Sequence, residues 1–218
     1  MIKIDLHTHS EASIDGGITA EEYANLLRNE IADVIAITDH DRIDFALGMQ
    51  KALGDDKIIV GEEITTTQGE IIGLYLSEKI IPGMSAQETI DAIKAQNGIV
   101  YIPHPFEKVR KGLQEDILLA LIDDIDIMEG FNGRALVQNY GPQAISLAKK
   151  HNVTAVASSD AHGAKGVGHT YTTVKERPTR QNFLQIIKLG RMRTKRPPYY
   201  TLLYPKINRL KKWLQGQK

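Results

Sequence analysis

Two imidazoles stand two residues apart near the start of the chain, in the stretch "DLHTHS" from Asp5 to Ser10. Residues i and i+2 of a β-strand point to one face, so His7 and His9 would project side by side and could grip a metal ion. Alone the pair says little, because a packed or solvated histidine is the ordinary reading of either one. Its weight comes from recurrence. Residues 33–38 lead into "ITDHD", with Asp39 and His40; 57–64 contain "GEE", with Glu62 and Glu63; 98–104 end in "IPHP", with His104. Residues 124–131 run into "EGFNGR", with Glu129, Asn132 and Arg134, and 153–159 run into "SSDAH", with Asp160 and His162. Five of the seven histidines thus fall at the ends of predicted strands. His151, near a helix end beside "KK", and His169, opening a late strand, do not fit the pattern.

Each residue taken singly has a structural reading: His40 as a capped core histidine, Glu63 as a solvated charge, His104 as a turn residue before Pro105, Asp160 as a helix N-cap. Their joint alignment at one edge is much harder to obtain by chance. The chain has no cysteine, which excludes disulfides, thiolate metal sites and cysteine nucleophiles. A ring of imidazoles and carboxylates suits Zn, Mn or Fe, whereas Mg or Ca would rely mainly on oxygen. Eight or more candidate ligands exceed what one tetrahedral ion takes, so more than one metal is implied.

The elements that must position these groups alternate. Strands are expected over 2–7, 33–38, 57–64, 70–76, 98–104, 124–131, 153–159 and 169–174. Thr19 with Glu22 and Ser85 with Glu88 have capping-box spacing, and further helices are expected over 42–53, 113–122, 142–151, 179–189 and 206–214. Gly98 and Gly190 fall where a left-handed residue would end a helix. After the turn-like "TTQG", 70–76 should fold back on 57–64 as a hairpin. Strands separated by helices call for a parallel sheet with right-handed crossovers, and seven or so β/α units favour a closed barrel. Barrel chemistry gathers at the C-terminal strand ends, where the polar residues recur.

With 218 residues, 42% hydrophobic and 25% charged, and no Pro/Gly/Ser-rich linker, the chain reads as one globular domain over 1–218. No apolar run approaches the ~20 residues that span a bilayer, and "MIKIDLH" carries no signal-peptide pattern, so a cytoplasmic location is expected. The zero net charge conceals an asymmetry. All 27 acidic residues lie at or before Glu176 against 15 basic ones, a net −12, while twelve Lys and Arg beyond it give +12. The basic extension from about 177 to 218 could offer "RMRTKRPP" and "KINRLKKWL" to phosphate, nucleic acid or an anionic membrane surface. Docking on the acidic body, or a solvated basic face, is the plainer reading. Tyr199, Tyr200 and Tyr204 could stack a base or pack the tail onto the barrel.

"DLHTHS", "ITDHD", "GEEIT", "IPHP" and "SSDAH", in this order and at these intervals, resemble the motifs of the polymerase and histidinol phosphatase (PHP) superfamily of metal-dependent phosphoesterases, over roughly residues 1–175. The resemblance implies a distorted (β/α)7 TIM-like barrel holding two or three divalent ions, commonly Zn, Mn or Fe. It also implies a ligand set. His7, His9, Glu63 and Asp160 would hold the first metal; Glu63, preferred to Glu62 because the family pattern reads Gly-x-Glu, would bridge to a second held by His104. Asp15 of "SIDGG", His40 and His162 would hold a third, and Asn132 is the nearest candidate for the second metal's remaining ligand. Glu63, Asp160 and His162 are the expected catalytic residues.

The expected reaction is hydrolysis of a small phosphate ester (a nucleotide, oligonucleotide end, or sugar or alcohol phosphate) by direct attack of metal-bridging hydroxide, without a phosphoenzyme. Arg134 is the expected phosphate clamp, with Lys108, Arg110 and Lys111 as others, although each would ordinarily be a surface charge. Asp5 and Asp39 are expected to orient ligand histidines through their second ring nitrogen. Alternatives are an amidohydrolase-type hydrolase, a non-catalytic metal-stabilised module, or an interaction protein working on nucleic acid or membrane through the basic tail.

Overall fold

A computed structural model describes residues 1–135 and 140–216. Six strands, β1 (Ile2–Asp5), β2 (Val34–Ile37), β3 (Ile58–Thr65), β5 (Ile99–Ile102), β6 (Ile127–Asn132) and β7 (Thr154–Ser158), are joined through helices. β4 (Glu70–Leu74), β8 (Thr170–Val174) and β9 (Arg191–Thr194) complete a nine-stranded sheet in the order β7-β6-β5-β4-β3-β2-β1-β8-β9. The helices are α1 (Ala20–Arg28), α2 (Asp44–Leu53), α3 (Ala86–Ala95), α4 (Glu115–Ala120), α5 (Gly141–Lys150), α6 (Phe183–Lys188) and α7 (Tyr204–Leu214). Both expected capping boxes form: Thr19 with Glu22 opens α1, and Ser85 with Glu88 opens α3. The left-handed residue after α3 is Asn97 (φ 54°), not Gly98, and Gly190 does not take a positive φ either. Asparagine tolerates that conformation, so the glycine signal sat one residue late.

The sheet curls until β7, at one edge, meets β8, which carries β9 on its other side. Thr172 of β8 accepts from Ala157 N of β7 at 2.9 Å and donates to Ala157 O at 3.1 Å, a side-chain bridge where a backbone ladder would otherwise close the ring. The fold is therefore mixed α/β with a nearly closed, barrel-shaped sheet. The strands are not uniformly parallel, however. β4 runs antiparallel to both β3 and β5, and β8 antiparallel to β1. The β3–β4 connection is the expected hairpin, closed by Thr66 N and Oγ1 donating to Gly69 O at 2.8 and 2.7 Å. Gly69 sits at φ 147°, and a Cβ there would press Lys111 O at 2.7 Å.

Strands buried on both sides read as unbroken apolar runs, and "VIAI" of β2 is an example. Ile35 and Ile37 pack outward with Tyr23, Met49 and Ile90, whereas Val34 and Ala36 face the barrel interior with Ile4, Leu6, Ile72 and Tyr101. Phe183, Ile186 and Ile187 of α6 join that interior group. Part of the basic extension is thus barrel core, and β9, an element the tail's composition did not suggest, pairs with β8.

Candidate metal centre

The strand continues past β1 as His7, Thr8 and His9. Thr8 turns outward, donating to Ala36 O at 2.7 Å, which turns both histidines inward, where they are fully buried. His7 Nε2 and His9 Nε2 lie 3.1 Å apart and each is 3.3 Å from Glu63 Oε2. Asp160 Oδ1 stands 3.7 Å from the first and 3.5 Å from the second. Donors placed tetrahedrally at the 2.0–2.1 Å bond lengths of a zinc site are separated by about 3.3–3.4 Å. One N–H cannot serve so many acceptors at once, and a cation at the centre would satisfy them all. These residues fit a metal ion.

Glu63 divides its two oxygens. Oε2 faces His7, His9 and, at 3.3 Å, His40 Nδ1; Oε1 lies 2.9 Å from His104 Nε2. A second donor group follows from that split, and it contains a residue that strand-end reasoning missed. Glu70 Oε1 is 3.9 Å from His40 Nδ1 and Oε2 is 3.8 Å from His104 Nε2. It opens β4, opposite Thr65. The signal that could have found it is the hairpin itself, whose register returns the first residue of β4 to the strand end that carries Glu63. A third group gathers Asp15, His40, His162 and His9: Asp15 Oδ1 lies 3.4 Å from His162 Nε2 and 3.6 Å from His40 Nε2.

The electrostatics favour cation binding. Burial opposes the charge on Asp160, yet Arg134 and His7 hold its carboxyl well below the usual range; His7 and His40 do the same for buried Glu63. Burial, then Arg134, lowers His162 to about 3, leaving it neutral. Burial also lowers His40. Against the desolvation that burial imposes, Asp160 and Glu63 raise His7 well above its ordinary value, so the cluster draws positive charge to the place between them. Glu70 is pushed up to about 9 by burial and then by Glu63, a carboxyl short of a cation.

Asn132 touches these groups through its amide, which donates to Asp160 Oδ2 at 3.2 Å, while its carbonyl oxygen is turned to other partners. Its Oδ1 accepts from Arg110 Nη1 at 2.7 Å and from Arg134 N at 2.8 Å, and its amide donates to Glu129 Oε2 at 2.8 Å. Asp5 and Asp39 do not reach a histidine ring. Asp5 accepts from Ser159 N at 3.0 Å and Asp39 from Ser10 N at 2.6 Å, so both pin the loops beneath the site. The orienting carboxylate is Glu129, at 3.3 Å from His7 Nδ1 and 2.7 Å from His104 N. The tautomer in which His7 Nδ1–H donates to it leaves the Nε2 lone pair facing the cluster. His104 (φ 29°) and Asp160 (φ 52°) hold left-handed backbone, sharp bends that aim their side chains inward.

A cavity of about 440 Å³ opens above the cluster. Its rim carries Arg110, Lys111, Arg134, Lys206 and Arg209. Arg134 Nη1 lies 3.2 Å from Asp160 Oδ1, and Arg110 donates to Asp160 Oδ2 at 2.7 Å. Lys108 is exposed. The basic tail docks on the body: Asn208 Nδ2 donates to Asp15 O and His162 O, both at 2.9 Å, and Lys212 Nζ to Gly16 O at 2.9 Å. Tyr204 packs against Gly163, where a Cβ would lie 2.7 Å from its ring, while Tyr199 and Tyr200 stay exposed.

An uncharacterized protein of Methanocaldococcus jannaschii is 34% identical over 151 residues, covering 63% of this chain and 88% of that one. A family model described as PHP-associated matches residues 142–192. The fold matches a two-domain protein from Bacteroides vulgatus containing a predicted PHP-like metal-dependent phosphoesterase, with TM-score 0.70 and 21% identity over 89% of this chain and 65% of that one. The chain belongs to the PHP superfamily. Another neighbour in fold is a lesion-specific endonuclease from Pyrococcus furiosus, with TM-score 0.64, 15% identity and coverage of 88% of this chain and 57% of its own. The chain spans 65% of the length of the first solved protein and 57% of the second.

Proposed function

We propose that this chain is a phosphoric ester hydrolase that binds two or three divalent ions, drawn from Zn, Mn and Fe, and cleaves a small phosphate ester such as a nucleotide, an oligonucleotide end, or a sugar or alcohol phosphate. The observation that carries the reading is the split of Glu63, with Oε2 on His7, His9 and His40 and Oε1 on His104. One carboxylate so placed would offer one oxygen to each of two neighbouring ions. His7, His9, Glu63 and Asp160 would hold the first; His104, Glu63 and Glu70 the second, Glu70 taking the place expected of Asn132; Asp15, His40 and His162 the third. The names of the solved neighbours, a phosphoesterase and an endonuclease, support the same chemistry.

When bound, such ions lower the pKa of water and neutralise charge on phosphoryl oxygens. The chain's own groups do the rest. His162 and His40, kept neutral by burial, offer lone pairs, and Glu129 fixes the ring of His7. Arg134, at the boundary between Asp160 and the cavity, meets an incoming phosphoryl group with a planar fork, and Arg110, on the same rim, holds the other oxygen of Asp160. Direct hydrolysis without a phosphoenzyme fits a site whose imidazoles and carboxylates would be engaged as metal ligands and so not free to act as nucleophiles.

Metal analysis of the purified protein, together with a panel of phosphomonoesters and phosphodiesters, tests the reading on wild type, His9→Ala and Asp160→Ala. Wild type should carry at least two ions and hydrolyse a member of the panel, and each variant should lose both metal and activity. Undiminished hydrolysis in both variants would refute the centre.

A further inference from the structure

Helix α7 is mounted with its polar side inward. Asn208, Arg209 and Lys212 face the body and bond to Asp15, Gly16 and His162. On the opposite side Leu203, Ile207, Leu210 and Leu214, at spacings of four, three and four, form one stripe exposed by 54, 40, 57 and 70%. Trp213, 69% exposed, lies beside it. A helix docked on a globular body ordinarily buries its apolar stripe, so this face lacks the cover its composition calls for. Lys206 and Lys211 flank the stripe, and no acidic residue follows Glu176.

We propose that this face seats the protein on the surface of an anionic lipid bilayer. The stripe would enter the headgroup boundary while Lys206 and Lys211 remain at headgroup level, the arrangement of an in-plane amphipathic helix. Charge decides against the other occupants. A second copy of the helix would set Lys against Lys with no carboxylate in 177–218 to pair them. Nucleic acid would engage the cations and leave the four aliphatic side chains uncovered. The eleven residues of α7 give a short apolar contact, so attachment is reversible and depends on anionic lipid. Leu202, Pro205, Lys206 and Arg209 also line the cavity, so its mouth would open beside the bilayer. The attachment does not depend on the reaction proposed above.

Trp213 is the chain's single tryptophan, so its emission reports on this face alone. The full chain is titrated with vesicles of phosphatidylcholine and phosphatidylglycerol (3:1) and with phosphatidylcholine vesicles. A blue shift and co-sedimentation with the anionic vesicles only, weakened by salt, is the expected result. Leu210→Glu and Lys211→Glu, both outside the cavity, should each weaken vesicle binding by about tenfold or more with helical content and any hydrolysis retained. Emission unmoved by anionic vesicles would overturn the proposal, as would an equal response to neutral ones. A shift that grows with protein concentration without lipid would assign the face to a second copy instead.

Discussion

Arg209 of α7 donates to Asp15 Oδ2 at 2.7 Å, joining residues 194 positions apart and setting the basic tail against a candidate metal ligand. The guanidinium is more than half exposed, so the pair itself contributes little to stability, within about 1 kcal/mol. Its place on the cavity rim matters more. Arg209→Ala should raise KM for a phosphate ester by about tenfold, with kcat within about twofold and metal content unchanged. An unaltered KM would reduce the contact to docking.

The tail cannot be removed as a unit. Phe183 is fully buried in the barrel interior beside Ile186 and Ile187. Phe183→Ala should lower unfolding free energy by about 3–5 kcal/mol, read from urea denaturation of the metal-loaded protein. A cut after Glu176 would remove that plug together with β9, and is expected to yield insoluble chain, whereas a cut after Pro198 spares both and separates docking from folding.

Glu70 and Asn132 make opposite predictions for the second ion. Glu70→Gln, which removes a carboxyl able to ionise on binding a cation near His104 and His40, should lower bound metal by about one ion per chain and kcat by about 10²-fold or more. Asn132→Ala should keep the metal count, because its carbonyl is already engaged by Arg110 and Arg134, and should act through Asp160 and substrate binding. Elemental analysis of both variants decides between them.

Much of this site was legible because it is built from strand ends. Period-two alternation placed His7 and His9 together, and repeated polar residues after apolar runs marked His40, the pair Glu62 and Glu63, His104, Asp160 and His162 as neighbours, with the family resemblance selecting Glu63. What stayed hidden came from register and tertiary approach. Glu70 begins a strand, so its position depends on the turn that returns β4 alongside β3. Glu129 was visible as a strand-end carboxylate, but its role needs the distance to His7. Asp39 lies beside His40 in the chain and nonetheless bonds to Ser10. The tail's charge announced docking on an acidic body, while composition could not show that α6 and β9 are integral to the barrel or that α7 points its apolar side outward.

Glu62 and Glu63 are adjacent in sequence and face opposite sides of β3. Glu63 enters the metal cluster, whereas fully buried Glu62 accepts from Ile80 N at 2.9 Å through Oε2 and leaves Oε1 without a partner. Burial pushes its carboxyl up to about 7. A carboxyl whose folded pKa lies above its unfolded value keeps its proton in the native state while the unfolded chain releases it. Stability therefore falls as pH rises from the ordinary glutamate value near 4.5 to about 7, and stays lower above that. Glu62→Gln retains the acceptor for Ile80 N and removes the ionisable group. It should leave stability at pH 5 nearly unchanged and raise it at pH 8 by on the order of 1–3 kcal/mol, flattening the profile between. Urea denaturation at the two pH values measures the difference, and parallel profiles for wild type and variant would show that the Glu62 carboxyl titrates in its ordinary range.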